Sequence, residues 1–164
     1  MEVLNMQTEK NCKTKAYVIS ILIALAAGGI SAIFAMGAME EYSKLRQPPL
    51  APPSWLFPIV WTILFALMGI SAARVYLKET PQTKPALASY AVQLIINIIW
   101  TPLYFALNLR LAAFIWLVVL FAAVIVMIVR FSRVDAVSAR LQIPYVLWII
   151  FAGYLNLSTY LLNR

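Results

Sequence analysis

The chain has 164 residues, of which 63% are hydrophobic, and it carries a net charge of +7, no histidine and one cysteine, Cys12. A mean hydropathy of +0.86 leaves too little polar surface to solvate a soluble domain of this size. The composition excludes an intrachain disulfide, a histidine-ligated haem and a histidine proton shuttle, and we expect no metal site and no nucleic-acid partner.

Five stretches of the chain carry no formal charge, and each is long enough to cross about 30 Å of hydrocarbon as a helix. They predict an all-α membrane protein, a single bundle of five transmembrane helices, with spans at about residues 16–39, 55–77, 86–109, 111–131 and 143–162. Residues 1–15 form an N-terminal tail in this interpretation, and residues 16–164 form the membrane domain. The first apolar run also resembles a secretory signal, but it exceeds the roughly 7–15 residues of a signal core, which favours an uncleaved span.

In the first span, Ala24, Gly28 and Ala32 are spaced by four residues. Small side chains at this spacing let another helix approach closely, so this face is predicted to be a helix–helix contact. The connector that follows contains Pro48, Pro49, Pro52 and Pro53 and is therefore stiff and extended. It could be either a lid or a rigid spacer.

The second and third spans each have an aromatic face. Trp61 and Phe65 share a face of the second span, and Tyr90, Gln93, Asn97, Trp100 and Tyr104 share a face of the third. The two amides could hydrogen-bond to neighbouring helices, or they could line a cavity and orient a ligand. Pro102 should interrupt the third helix, because it lacks an amide hydrogen.

The fourth span has almost no polar side chain, so it should face lipid or another subunit and contribute least to any site. The fifth span again places Tyr145, Trp148, Ala152 and Asn156 on one face. Aromatic helices that face one another across small residues could enclose a flat, mostly apolar molecule. The alternative is an ordinary bundle core with aromatic residues at the membrane interface.

The distribution of charge predicts an orientation and disfavours one class of function. Basic residues concentrate on the side of the N-terminus, which should therefore lie in the cytoplasm. No Asp, Glu, Lys or His lies in the middle of a span, and this argues against an ion-coupled transporter.

Three motifs in the right order together resemble the TspO/MBR family, whose members are also called translocator proteins, tryptophan-rich sensory proteins or peripheral-type benzodiazepine receptors. The resemblance covers about residues 16–164 and rests on these segments: Pro48-Pro49-Leu50-Ala51-Pro52-Pro53-Ser54-Trp55 with Val60-Trp61-Thr62, Gln93 to Pro102, and Pro144 to Asn156.

The resemblance implies a five-helix bundle, commonly homodimeric, that holds porphyrins such as protoporphyrin IX in a pocket within the bacterial cell membrane. The resemblance makes Trp61, Asn97, Trp100, Trp148 and Ala152 ligand-binding residues. The shared helix faces add Phe65, Gln93, Tyr104 and Tyr145 to this predicted set. The segment with Arg46, Pro48, Pro49, Pro52 and Pro53 would cover the pocket. No cofactor would be required, and the porphyrin would be the ligand.

The implied function is that of a sensor, scavenger or transport facilitator for porphyrins. One alternative is a light-dependent porphyrin-degrading enzyme, in which Trp61 and Trp148 would take part in photochemistry. Another is a transporter of sterols or other small molecules. The chain departs from the family at Leu50, where many members have tryptophan, and at Trp116, which replaces an acidic residue, so the fine ligand preference stays open.

Overall fold

The computed structural model describes residues 2–36 and 44–164, and it describes side chains from Lys10 onward. Six helices lie wholly within these ranges: α1 (Glu2–Met36), α2 (Leu56–Tyr76), α3 (Thr83–Thr101), α4 (Arg110–Ser132), α5 (Ala136–Arg140) and α6 (Ile143–Leu162). All except α5 are long and apolar enough to cross a membrane, which confirms the predicted five-helix bundle. Residues 37–39 of the first predicted span, and Glu40 and Glu41 after it, lie outside the described residues.

The helix boundaries agree with the predicted spans except in α1 and α3. Helix α6 has the predicted bounds, and α2 and α4 differ from them by one residue at each end. Helix α1 begins at Glu2, so the predicted tail continues the first span as a helix, because no proline or glycine precedes Gly28. Helix α3 begins before Pro85, which is tolerated in a first helical turn.

The predicted interruption at Pro102 takes the form of a π-helical turn over Pro102–Ala106. The amide of Leu107 donates to the carbonyl oxygen of Pro102, five residues earlier, at 2.9 Å. Asn108 then adopts a φ of 54°, a left-handed conformation that ends the helix. The third span therefore ends at Ala106 rather than at the predicted Leu109.

Helix α5 lies in the connector between α4 and α6, where the charge pattern predicted no helix. It is capped by Asp135, whose carboxylate accepts a hydrogen bond from the amide of Ser138 at 3.0 Å. An aspartate before the first turn stabilises a helix in this way because it pairs one of the amides that have no partner within the helix. The cap explains how so short a helix forms.

Helices α1 and α2 pack closely through glycine. A Cβ atom on Gly28 would lie 2.5 Å from the Phe65 ring, and one on Gly69 would lie 2.5 Å from Cα of Ile21. Ala24 is fully buried. The predicted small-residue contact of the first span is thus confirmed at Ala24 and Gly28.

Gly69→Ala should lower the stability of the bundle by about 2 kcal/mol, because the new methyl group meets the α1 backbone and overpacking of this kind costs about 1–3 kcal/mol. Gly29→Ala is the matched control, since no atom lies within 4 Å of its added Cβ and alanine favours a helix. Thermal unfolding in detergent should show a lower midpoint for Gly69→Ala only. Equal midpoints for the two variants would contradict this packing.

Helix α4 has one buried and one exposed side. Leu117, Leu120 and Val124 are buried, whereas Ile115 and Val118 are more than half exposed. The exposed side agrees with the prediction that this span faces lipid or another subunit.

Hydrogen bonds fix the connector between α1 and α2 to α6. The Arg46 amide donates to Oδ1 of Asn163 at 2.9 Å, and Nδ2 of Asn163 donates back to the Arg46 carbonyl oxygen at 3.0 Å. The hydroxyl of Tyr154 donates to the carbonyl oxygen of Pro49 at 2.6 Å. The proline-rich segment therefore lies at the end of the bundle where α6 ends.

Candidate ligand-binding site

A cavity of about 410 Å³ lies between α1, α2, α3 and α6. Its volume falls within the roughly 300–1,000 Å³ that is typical of small-molecule sites. Aromatic residues make up much of its wall: Phe57, Trp61, Phe65, Trp100, Tyr104 and Phe105. The side formed by α1 is lined mainly by small residues: Gly28, Gly29, Ser31, Ala32 and Ala35.

The indole of Trp61 is at the centre of the aromatic wall. Its ring centroid lies 5.7 Å from that of Phe65, 6.4 Å from that of Trp100 and 6.5 Å from that of Trp148. Trp100 in turn stacks on Tyr104 at 5.5 Å. Rings at these separations support one another and hold their faces in fixed orientations.

The structure brings six of the nine sequence-predicted ligand residues onto the cavity wall: Trp61, Phe65, Asn97, Trp100, Tyr104 and Ala152. Gln93, Tyr145 and Trp148 are not on the wall. Trp148 packs edge-on against Trp61 and so supports the wall from behind. Ala152 leaves space one turn further along α6.

Gln93 and Tyr145 are fully buried and belong to a hydrogen-bonded chain between α3 and α6. Nδ2 of Asn97 donates to the Tyr145 hydroxyl at 2.7 Å, and this hydroxyl donates to Oε1 of Gln93 at 3.1 Å. Gln93 therefore joins helices, while Asn97 joins helices and also lines the cavity. That Asn97 orients a ligand stays a prediction.

The predicted lid residues Arg46, Pro48, Pro49, Pro52 and Pro53 do not line the cavity. The nearest part of this segment on the wall is Ser54, directly after the last proline. The cavity is also lined by Met36 at the end of α1, Phe57 at the start of α2 and Phe105 in the π-helical turn after α3. The proline-rich segment and the cavity thus lie toward the same end of the bundle, where α1 and α6 end and α2 begins. The role of the segment as a lid stays a prediction.

Sequence reasoning missed the contribution of α1 and of one polar residue in α6. Gly28 and Ala32 were predicted to contact a helix, whereas they also line the cavity with Ser31. Asn156 was placed on the aromatic face of the fifth span but not among the ligand residues, and it too is on the wall. Its position four residues after Ala152 was the signal that could have identified it.

Among residues 2–36 and 44–164, those that line the cavity include no Asp, Glu, Lys or Arg. An ionised group brought into the cavity would lose its hydration without gaining a countercharge, which is strongly unfavourable. The cavity is therefore suited to a broad, neutral, largely apolar surface rather than to an ion.

Comparison with known proteins finds one matching family model and several related proteins. The model of the TspO/MBR family matches residues 20–161. Protein CrtK of Rhodobacter capsulatus is 39% identical over 149 residues, which are 90% of this chain and 92% of that protein. Tryptophan-rich protein TspO of Chlorobaculum tepidum is 33% identical over 94% of this chain and 98% of its own length. The translocator protein of Bos taurus is 29% identical over 82% of each chain.

Proposed function

The chain belongs to the TspO/MBR family of integral membrane proteins, and from this premise we propose that its cavity binds porphyrins such as protoporphyrin IX. In this role the protein is a sensor, scavenger or transport facilitator for tetrapyrroles. The observation that carries the proposal is the pair of indole rings on the wall, Trp61 and Trp100, with Trp148 packed against Trp61, around a cavity whose described lining carries no charged side chain.

The physical match is between two flat aromatic surfaces. A porphyrin is a broad π-system, and rings offset or edge-on at centroid separations of about 4.5–7 Å attract one another beyond the burial of apolar area. Trp61 and Trp100 lie with their planes 32° apart and on the same wall, so a flat ligand can contact both.

The two propionates of a porphyrin need a different environment from its ring. Among the described wall residues, an ionised propionate would be desolvated without a charged partner. Arg46 is exposed in the proline-rich segment, at the end of the bundle nearest the cavity. A guanidinium there can pair with a propionate that stays at the membrane surface.

Protoporphyrin IX should quench the tryptophan fluorescence of the protein in lipid nanodiscs saturably, and Trp61→Phe with Trp148→Phe should weaken binding roughly tenfold. Aromatic pairs contribute about 0.5–1.5 kcal/mol each, and 1.4 kcal/mol corresponds to tenfold in affinity. The measurement is the dissociation constant from the quenching isotherm.

Trp55→Phe is the matched control, because Trp55 is 64% exposed and is not on the cavity wall. It should bind the pigment as the unchanged protein does. A doubly substituted protein with unchanged affinity would count against the pigment lying on the Trp61 indole, which Trp148 holds in place.

A further inference from the structure

Three polar groups on the cavity wall have no hydrogen-bond partner among the described residues. They are the side-chain amide of Asn156, in which neither Nδ2 nor Oδ1 is paired, the hydroxyl of Ser31 and the indole N–H of Trp100. Asn156 is 1% exposed and Ser31 is 8% exposed, so neither is satisfied by bulk water. Asn97, the other amide on the wall, differs because it already donates to Tyr145.

Buried polar side chains are hydrogen-bonded in the great majority of cases, because a buried group without a partner is destabilising. Asn156 and Ser31 lie on different helices, α6 and α1, and on the wall of the same cavity. A molecule that fills the cavity lies against both residues. The arrangement is therefore suited to a ligand that itself carries a hydrogen-bonding group.

The absence of charge on the described wall defines the kind of group. A carboxylate would be buried without a cation, whereas a neutral carbonyl can accept hydrogen bonds from Nδ2 of Asn156 and from the Ser31 hydroxyl. The ring edge of protoporphyrin IX that carries methyl and vinyl groups offers no such acceptor. It would leave the Asn156 amide unpaired after the ligand has displaced any water.

We propose that Asn156, assisted by Ser31, is a specificity-determining residue that binds a neutral carbonyl group on the apolar edge of a tetrapyrrole. The preferred ligand class is then tetrapyrroles with a formyl, keto or lactam oxygen on that edge, rather than those with hydrocarbon substituents alone. This inference rests on the proposed function, because it assumes that the cavity holds a tetrapyrrole.

The test compares two pigments that differ in one substituent: protoporphyrin IX, and the same porphyrin with formyl in place of one vinyl group. The dissociation constant of each is measured with the protein in lipid nanodiscs. The unchanged protein should bind the formyl pigment about tenfold more tightly. Asn156→Leu, which keeps a similar shape, should bind the two pigments equally, and Ser31→Ala should reduce the preference in part.

Ser158→Ala is the matched control, since Ser158 lies on the same helix as Asn156 but not on the cavity wall. It should keep the full preference for the formyl pigment. Thermal unfolding without ligand gives a second readout. Asn156→Leu should unfold at the same or a higher temperature than the unchanged protein, because it removes an unpaired buried amide.

The outcomes separate the two proposals. If neither pigment binds saturably, the proposed function fails. If both bind with equal affinity to the unchanged protein, or if Asn156→Leu weakens both equally, only the role of Asn156 is overturned. A lower unfolding temperature of ligand-free Asn156→Leu would identify Asn156 as a structural residue and would also overturn it.

Discussion

Ala152→Trp should weaken porphyrin binding about a hundredfold, because the new indole would occupy the space that the ligand needs. Ala152 is 7% exposed and lies on the cavity wall, one turn from both Trp148 and Asn156. In a cavity of about 410 Å³, an added indole removes a large part of the free volume. The dissociation constant for protoporphyrin IX in nanodiscs measures the effect, and a hundredfold change corresponds to about 2.8 kcal/mol.

The control for this substitution introduces the same side chain two residues earlier. Ile150 is 55% exposed and is not on the cavity wall, so Ile150→Trp should leave binding unchanged. If Ala152→Trp binds the pigment as tightly as Ile150→Trp, the pigment is held elsewhere than in this cavity.

Asp135→Asn should lower the free energy of unfolding by about 2 kcal/mol, because the Asp135 carboxylate connects the end of α2 to α5 at the other end of the bundle. It accepts hydrogen bonds from Nε of Arg74 at 2.8 Å and from the Ser138 hydroxyl at 2.6 Å, and Lys78 lies 3.8 Å away. Removing one partner of a buried ion pair costs about 3–5 kcal/mol, but the Arg74 side chain is 31% exposed, which reduces the effect.

Asp135→Ala should be more destabilising than Asp135→Asn by about 1 kcal/mol, because asparagine can still cap α5 and alanine cannot. Thermal unfolding of both variants in detergent measures this order. Equal stability of the two variants and the unchanged protein would show that the ion pair and the cap contribute nothing to the fold.

The Asp135 carboxylate should also make the stability of the fold depend on pH. The hydrogen bond from the Arg74 guanidinium, aided by those from Ser138, holds the pKa of Asp135 well below its ordinary value near 4. The unfolded chain therefore binds this proton at a higher pH than the folded chain does, so stability rises with pH across this interval. The contribution is complete above about pH 5 and is lost as the pH falls toward the lowered pKa.

Unfolding midpoints between pH 6 and pH 3 should consequently fall more steeply for the unchanged protein than for Asp135→Asn. Parallel curves would mean that Asp135 titrates alike in the folded and unfolded chains.

The helices could be predicted from the sequence because a membrane span must exclude charge over most of its length, with basic residues tolerated near its ends. This constraint is strong for α6, where both predicted ends agree with the structure, and for α2 and α4. It says nothing about helices outside the hydrocarbon. The beginning of α1 and the short α5 were therefore missed, since local capping at Asp135 and the lack of a helix breaker decide them.

The candidate site could be predicted in part, because residues that share a helix face can be read from a period of 3.6. This reading found Trp61, Asn97 and Ala152 on the wall. It could not show how each helix is rotated against its neighbours. Tyr145 therefore lies in a hydrogen-bonded chain behind the wall, although it shares a face with Ala152.

The small residues of α1 illustrate a second limit. Glycine and alanine can admit a neighbouring helix or leave a void, and the sequence pattern is the same in both cases. In the structure Gly28 contacts Phe65 and also lines the cavity, while Ser31 and Ala35 line it further toward the end of α1. The division depends on the distance between helices, which the spacing of small residues does not determine.

A titration of protoporphyrin IX into nanodiscs, followed through the Soret absorption of the pigment, tests the central claim most directly. With the protein present, we expect a shifted band that saturates at one pigment per chain, whereas empty nanodiscs should take up pigment in proportion to its concentration. Unsaturable uptake that is the same with and without the protein would contradict a binding site within the bundle.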